Sequence, residues 1–68
     1  MKNEFGERLK ELRTEEGYSL SDLSKKVGIP QSSLSRWENG KADIVSFNLI
    51  KLAKYFKVST DYLLGLED

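Results

Sequence analysis

Four side chains in the stretch GIPQSSLSRWENGK, residues 28–41, can form hydrogen bonds from one side of a helix: Gln31, Ser32, Ser35 and Arg36. Their spacing of i, i+1, i+4 and i+5 gathers them on one face once Leu34 and Trp37 point inward. An amide, two hydroxyls and a guanidinium make a donor and acceptor set suited to base-pair edges. Gln matches adenine, Arg matches guanine, and Ser suits several acceptors. No acid shares that face, and Glu38 lies a turn further on. On composition alone the same residues also fit a plain solvated face, because polar outer faces are the rule on amphipathic helices.

Other chemistry is poorly provided for. The 68 residues contain no histidine and no cysteine, which removes disulfide frameworks and the common zinc sites. There is no glycine-rich phosphate loop, and the carboxylates fall at helix-surface positions, so an enzyme active site is not expected. No cofactor, metal or small-molecule ligand is implied. No run approaches the ~18 apolar residues of a membrane span. The opening MKNEFGERLKELR is charged throughout, unlike a secretory signal. A soluble, cytoplasmic domain is the expectation. Eleven basic residues balance eleven acidic ones. That weighs against a polyanion partner, although the local field on one face matters more than the sum.

The elements that must carry the polar face read as five short helices in a single domain, all-α, over residues 1–68. Glycines at 17, 28, 40 and 65 serve as stop signals. The first helix runs from about Asn3 to Glu16, with Phe5, Leu9 and Leu12 on one side, Asn3 as cap, and Glu4 and Glu7 suiting its positive end. The second runs from about Leu20 to Val27. Ser19 is its N-cap, Asp22 sits at the capping-box position, and Tyr18 and Leu23 form a hydrophobic staple. The third runs from about Gln31 to Asn39, with Pro30 presetting its first turn. The fourth, from about Ser46 to Lys57, carries the stripe Leu49, Leu52, Ala53 and Phe56, with Lys51 and Lys54 on its solvated side. The fifth follows Ser59 to about Leu64, anchored by Leu63.

Residues of about 20–39 make a tight unit: a helix with small Ser24 at its middle, Gly28 at the turn, apolar Ile29 and Leu34, then a second helix. A steep crossing over a short turn needs those small residues. In full, FGERLKELR, GYSLSDLSKKVGIPQSSLSRWENGK and LIKLAKYFKVSTDYLLG, in this order, resemble the phage-repressor and Cro-type helix-turn-helix domains, also called XRE-type. The resemblance covers about Phe5 to Gly65. It implies a lambda-repressor-like five-helix bundle that binds double-stranded DNA operators, usually as a homodimer on palindromic half-sites, and regulates transcription, here as a repressor. It also implies a prokaryotic or phage-encoded protein.

The resemblance further implies roles for single residues. Gln31, Ser32 and Arg36 match base-reading positions. Ser33 and Ser35 match contacts to phosphate or a flanking base, and Asn39 and Lys41 match backbone contacts just past the helix. Arg13 and Glu38 match a buried or half-buried ion pair, which would explain an acid so near the reading face. Ser19, opening the second helix, is a further candidate backbone contact, since helix N-termini bind phosphate. Two positions depart from the family's pattern. Leu20 stands where glutamine often braces the first reading residue, and leucine donates no side-chain hydrogen bond. The loop ADIVS offers little to a phosphate.

Ile44, Val45, Tyr62, Leu64 and Leu66 have no evident place in the core, and the family dimerises through this end, so they are candidate dimer contacts. Lys51, Lys54 and Lys57 read as a solvated face. The alternative function is a protein-interaction module on the same fold, such as an antitoxin or co-regulator. Zero net charge and Leu20 speak for it, and an apolar patch over Leu20 and Ser32 without positive potential would support it.

Overall fold

Leu9 is fully buried in α1, Glu4–Glu15, with Phe5 and Leu12 packed half-buried beside it against the core. The computed structural model describes residues 4–41 and 46–66, and within them α1 is followed by α2 (Leu20–Val27), α3 (Gln31–Glu38), α4 (Ser46–Phe56) and α5 (Thr60–Leu63). No strand occurs among the described residues. Glu4 and Glu7 lie in the first turn of α1 and Arg13 in its last, each at the dipole end that favours its charge. Asn3, its expected cap, lies outside the described residues.

The boundaries follow local chemistry. Ser19 caps α2 with a reciprocal box: its Oγ accepts from the Asp22 N–H at 3.0 Å, and its own N–H donates to Asp22 Oδ2 at 3.0 Å. Pro30 sits at the N-cap of α3, one position earlier than the first-turn slot, and its carbonyl accepts from the N–H groups of Ser33 and Leu34. Ser59 caps α5, accepting from the Tyr62 N–H at 2.9 Å. The α4 helix stops at Phe56 and not at Lys57, because Lys57 turns to φ 59°, the left-handed region, while the Val58 N–H bonds back to the Ala53 carbonyl. That ending carries no glycine to announce it.

Among the described residues nine apolar ones form the core: Leu9, Leu23, Val27, Ile29, Leu34, Trp37, Leu52, Ala53 and Leu63. Each fully buried leucine contributes about 1.5–3 kcal/mol relative to exposure. The α3 helix packs between α1 and α2; α4 packs on α2 and α5, and α5 returns to α1. Aromatic contacts surround this centre. Phe5 meets Trp37 with centroids 6.4 Å apart, and the hydroxyls of Tyr18 and Tyr55 are 3.0 Å apart, tying the α1–α2 turn to α4. The Tyr18 hydroxyl in turn holds the Tyr55 phenol above its ordinary pKa.

Candidate nucleic-acid interface

The crossing of α2 and α3 is fixed at three points. Gly28 ends α2 at φ 70°, a conformation that a Cβ disfavours, and its N–H donates to the Ser24 carbonyl at 2.8 Å. Ile29 turns inward and is buried. Ser24 Oγ donates to the Ile29 carbonyl at 2.7 Å, so the small residue at mid-helix also fastens the turn. Sequence reasoning found the size of Ser24 but not this bond, which depends on where the turn brings the carbonyl. Lys51, expected from the sequence on a solvated face, departs from that expectation. It is half-buried, and its ammonium lies 3.4 Å from where a Cβ on Gly28 would stand, beside the negative end of the α2 dipole. Lys54 and Lys57 are exposed.

With Leu34 and Trp37 buried, α3 turns Gln31, Ser32 and Arg36 to solvent. Ser33 and Ser35 are half-buried on its flanks. Past the helix, Asn39 and Lys41 are exposed. Asn39 spends part of its amide on the helix end: Nδ2 donates to the Ser35 carbonyl at 2.8 Å. The Lys41 N–H donates to the Arg36 carbonyl at 2.8 Å. Ser19, at the start of α2, is exposed, but both its N–H and its Oγ are engaged by Asp22. The Asp22 carboxyl is held below its ordinary pKa, first by the Ser19 N–H and then by the Ser19 hydroxyl, so it stays ionised beside that candidate contact.

Glu38 does not face the polar surface. Arg13 holds it through Nε to Oε2 at 2.7 Å and Nη2 to Oε1 at 3.0 Å, with side-chain exposures of 12% for the arginine and 6% for the glutamate. The third nitrogen, Nη1, donates to the Tyr18 carbonyl at 2.8 Å. One guanidinium thus ties α1, the α1–α2 turn and the end of α3 together. The Glu38 hydrogen bonds raise the Arg13 pKa above its already high ordinary value. The negative charge closest in sequence to the exposed face is therefore neutralised by a bidentate partner.

A family model described as helix-turn-helix matches residues 9–63. The chain belongs to the helix-turn-helix family. The helix-turn-helix transcriptional regulator ImmR of Bacillus subtilis (strain 168) is 40% identical over 64 residues, 94% of this chain and 50% of that protein. The SPbeta prophage-derived uncharacterised regulator YonR of the same strain is 43% identical over 60 residues, 88% of this chain and 56% of that protein. The helix-turn-helix transcriptional activator BcrR of Enterococcus faecalis is 32% identical over 65 residues, 96% of this chain and 32% of that protein. This helix-turn-helix chain spans about half the length of the first two relatives. Among its described residues no helix is long and apolar enough to cross a membrane.

Of the candidate dimer contacts, Tyr62 lies in α5 and Leu64 and Leu66 follow it. Leu64 is 39% exposed and Leu66 73%. Tyr62 does have a place: it is half-buried, with the Arg8 guanidinium 4.4 Å over its ring centroid, which docks α5 on α1. Ile44 and Val45, with the rest of the ADIVS loop up to Val45, lie outside the described residues. Leu20 packs half-buried against the core, and the large apolar side chains exposed among the described residues are Ile50, Leu64 and Leu66.

Proposed function

We propose that the 68 residues act as a single DNA-binding domain of a transcriptional regulator. The N-terminal end of α3 enters the major groove of a double-stranded operator. Gln31, Ser32 and Arg36 meet base edges, while Lys41, the free valences of Asn39, the hydroxyls of Ser33 and Ser35, and the opening of α2 at Ser19 meet the sugar-phosphate backbone. The observation that carries this reading is the division of α3 itself. Its apolar residues are buried, its acid is locked to Arg13, and what remains outside is a donor-rich face without a carboxylate.

The regulator works as a homodimer on a palindromic site, with Leu64, Leu66 and the edge of Tyr62 at the two-fold contact together with Ile44 and Val45. It acts in a prokaryotic cytoplasm as a repressor, by occupying its operator. The regulatory names of its relatives support the regulatory role.

Selection of bound duplexes from a random pool tests the proposal. A palindrome with half-site centres about 34 Å apart is expected. A pool that emerges without any preferred sequence would sink it.

A further inference from the structure

The chain contains one Asn-Gly pair, Asn39–Gly40, and it lies at the end of α3 beside the face assigned to DNA. Asn-Gly is a chemically labile sequence, because glycine has no side chain to obstruct its nitrogen. When the Gly40 nitrogen attacks Asn39 Cγ, an N–Cγ bond forms and the Cγ–Nδ2 bond breaks. The glycine N–H proton leaves with the nitrogen as ammonia, and a five-membered imide remains. Water then opens either imide bond, giving aspartate or isoaspartate at position 39. No oxidant or enzyme is required.

The folded turn opposes each step. Asn39 stands at ψ 5°, which places the Gly40 nitrogen over the Asn39 nitrogen and away from Cβ, so the ring cannot close without rotating that peptide. The Gly40 N–H is engaged with the Trp37 carbonyl at 3.1 Å, and Asn39 Nδ2 is held by the Ser35 carbonyl at 2.8 Å. Rotation breaks both, together with the bond from the Lys41 N–H to the Arg36 carbonyl. Yet both residues are exposed, and a helix end is where local opening costs least.

We propose that Asn39 is a spontaneous modification site, gated by the opening of the last turn of α3, and that its conversion disables the adjacent DNA-binding face. Either product replaces a neutral amide with a carboxylate on residue 39, at the negative end of the α3 dipole and between Arg36 and Lys41 in sequence. Isoaspartate also adds a carbon to the backbone, which is incompatible with the bonds that close the turn. The loss of binding rests on the DNA-binding reading, while the chemistry and its gating do not.

The test is peptide mapping by mass spectrometry of the 68-residue chain, incubated at mildly alkaline pH either folded or in denaturant. Conversion at residue 39 is expected to be at least about tenfold slower in the folded chain, reflecting the opening equilibrium, and to rise with pH. Asn48, followed by the bulky Leu49, is the internal control and should convert more slowly in denaturant. Gly40→Ala, measured in denaturant so that folding is immaterial, should suppress conversion. Equal rates folded and unfolded, or no conversion at 39 in denaturant, would overturn the gating. Separately, Asn39→Asp is compared with the parent on a duplex selected from a random pool. Weaker binding is expected, and equal binding would overturn the functional consequence. Failure of the parent to select any duplex would instead overturn the DNA-binding reading and leave the mass-spectrometric result standing.

Discussion

Arg13 and Glu38 are 25 residues apart in sequence, yet their side chains meet in a two-bond fork at 2.7 and 3.0 Å, largely out of solvent. The pair lets an acid stand at the end of α3 without presenting its charge to the exposed face. It also ties that helix to α1 and, through the Tyr18 carbonyl, to the turn before α2. Arg13→Ala or Glu38→Ala alone strands one charge and should cost about 3 kcal/mol, near the lower end for a buried pair broken on one side. Replacing both with apolar residues of similar volume should recover much of that loss. Urea denaturation of the three variants measures it. Additive losses with no recovery would mean that the two side chains act independently.

The capping box at Ser19 and Asp22 has a pH signature. Ser19 lowers the Asp22 pKa in the folded chain, so the box contributes its stability at pH values above the unfolded carboxyl's pKa. The contribution is lost as pH falls through the lower, folded value. The melting temperature of Asp22→Asn should therefore lie below that of the parent at neutral pH and converge on it below about pH 4. A gap that stays constant or widens in acid would contradict the assignment. Ser19→Ala should cost about 0.5–2 kcal/mol, as N-cap removals do.

Two glycines separate backbone strain from steric exclusion. Gly28 and Gly65 both have positive φ, 70° and 79°. A Cβ at Gly28 would come no closer than 3.4 Å, to the flexible end of Lys51, whereas at Gly65 it would fall 2.5 Å from Glu4 Cβ. Gly28→Ala should cost only the left-handed penalty of about 1–2 kcal/mol. Gly65→Ala should cost more, or release the chain after α5 from α1. Thermal melts rank the two, and the reverse order would show that the Gly65 contact yields freely. Ser24→Ala removes the hydrogen bond to the Ile29 carbonyl and should cost about 1 kcal/mol.

Much of this architecture is legible in the residues. The α2 helix begins and ends where Ser19, Asp22 and Gly28 place it, and the buried leucines follow the helical period. The unread parts have physical causes. Lys57 adopts a left-handed backbone that its side chain does not advertise. Lys51 looks like one of three solvated lysines until α4 is docked over the Gly28 turn. Arg8 over Tyr62 and the Tyr18–Tyr55 hydroxyl pair join helices distant in sequence, and periodicity within one helix says nothing of them. The site is legible in a narrower sense. Spacing gives the outward face of α3, but a solvated face has the same spacing, and the proposed roles of Gln31, Ser32 and Arg36 came from the family pattern.

Few phosphates are neutralised by a neutral chain whose α2 opening carries an ionised Asp22. Binding to the selected operator should therefore weaken only moderately with salt, with a log–log slope well short of about −10, the value for a strongly basic repressor. A slope that steep would mean that bulk charge, and not base contact, holds the complex.

Leu64 and Leu66 should matter to assembly and not to folding. Leu64→Glu with Leu66→Glu should shift sedimentation towards monomer and weaken operator binding while helicity is unchanged. An unaltered dimer would move the two-fold contact elsewhere on the molecule.

Base reading by α3 has its sharpest test at Arg36. Binding of the parent and Arg36→Ala is measured across all single-base variants of the selected operator. Removal of Arg36 should cost about 1–3 kcal/mol and abolish discrimination at one base pair per half-site while preference elsewhere persists. A uniform loss over every sequence, with the discrimination pattern intact, would contradict the account and make Arg36 a phosphate clamp.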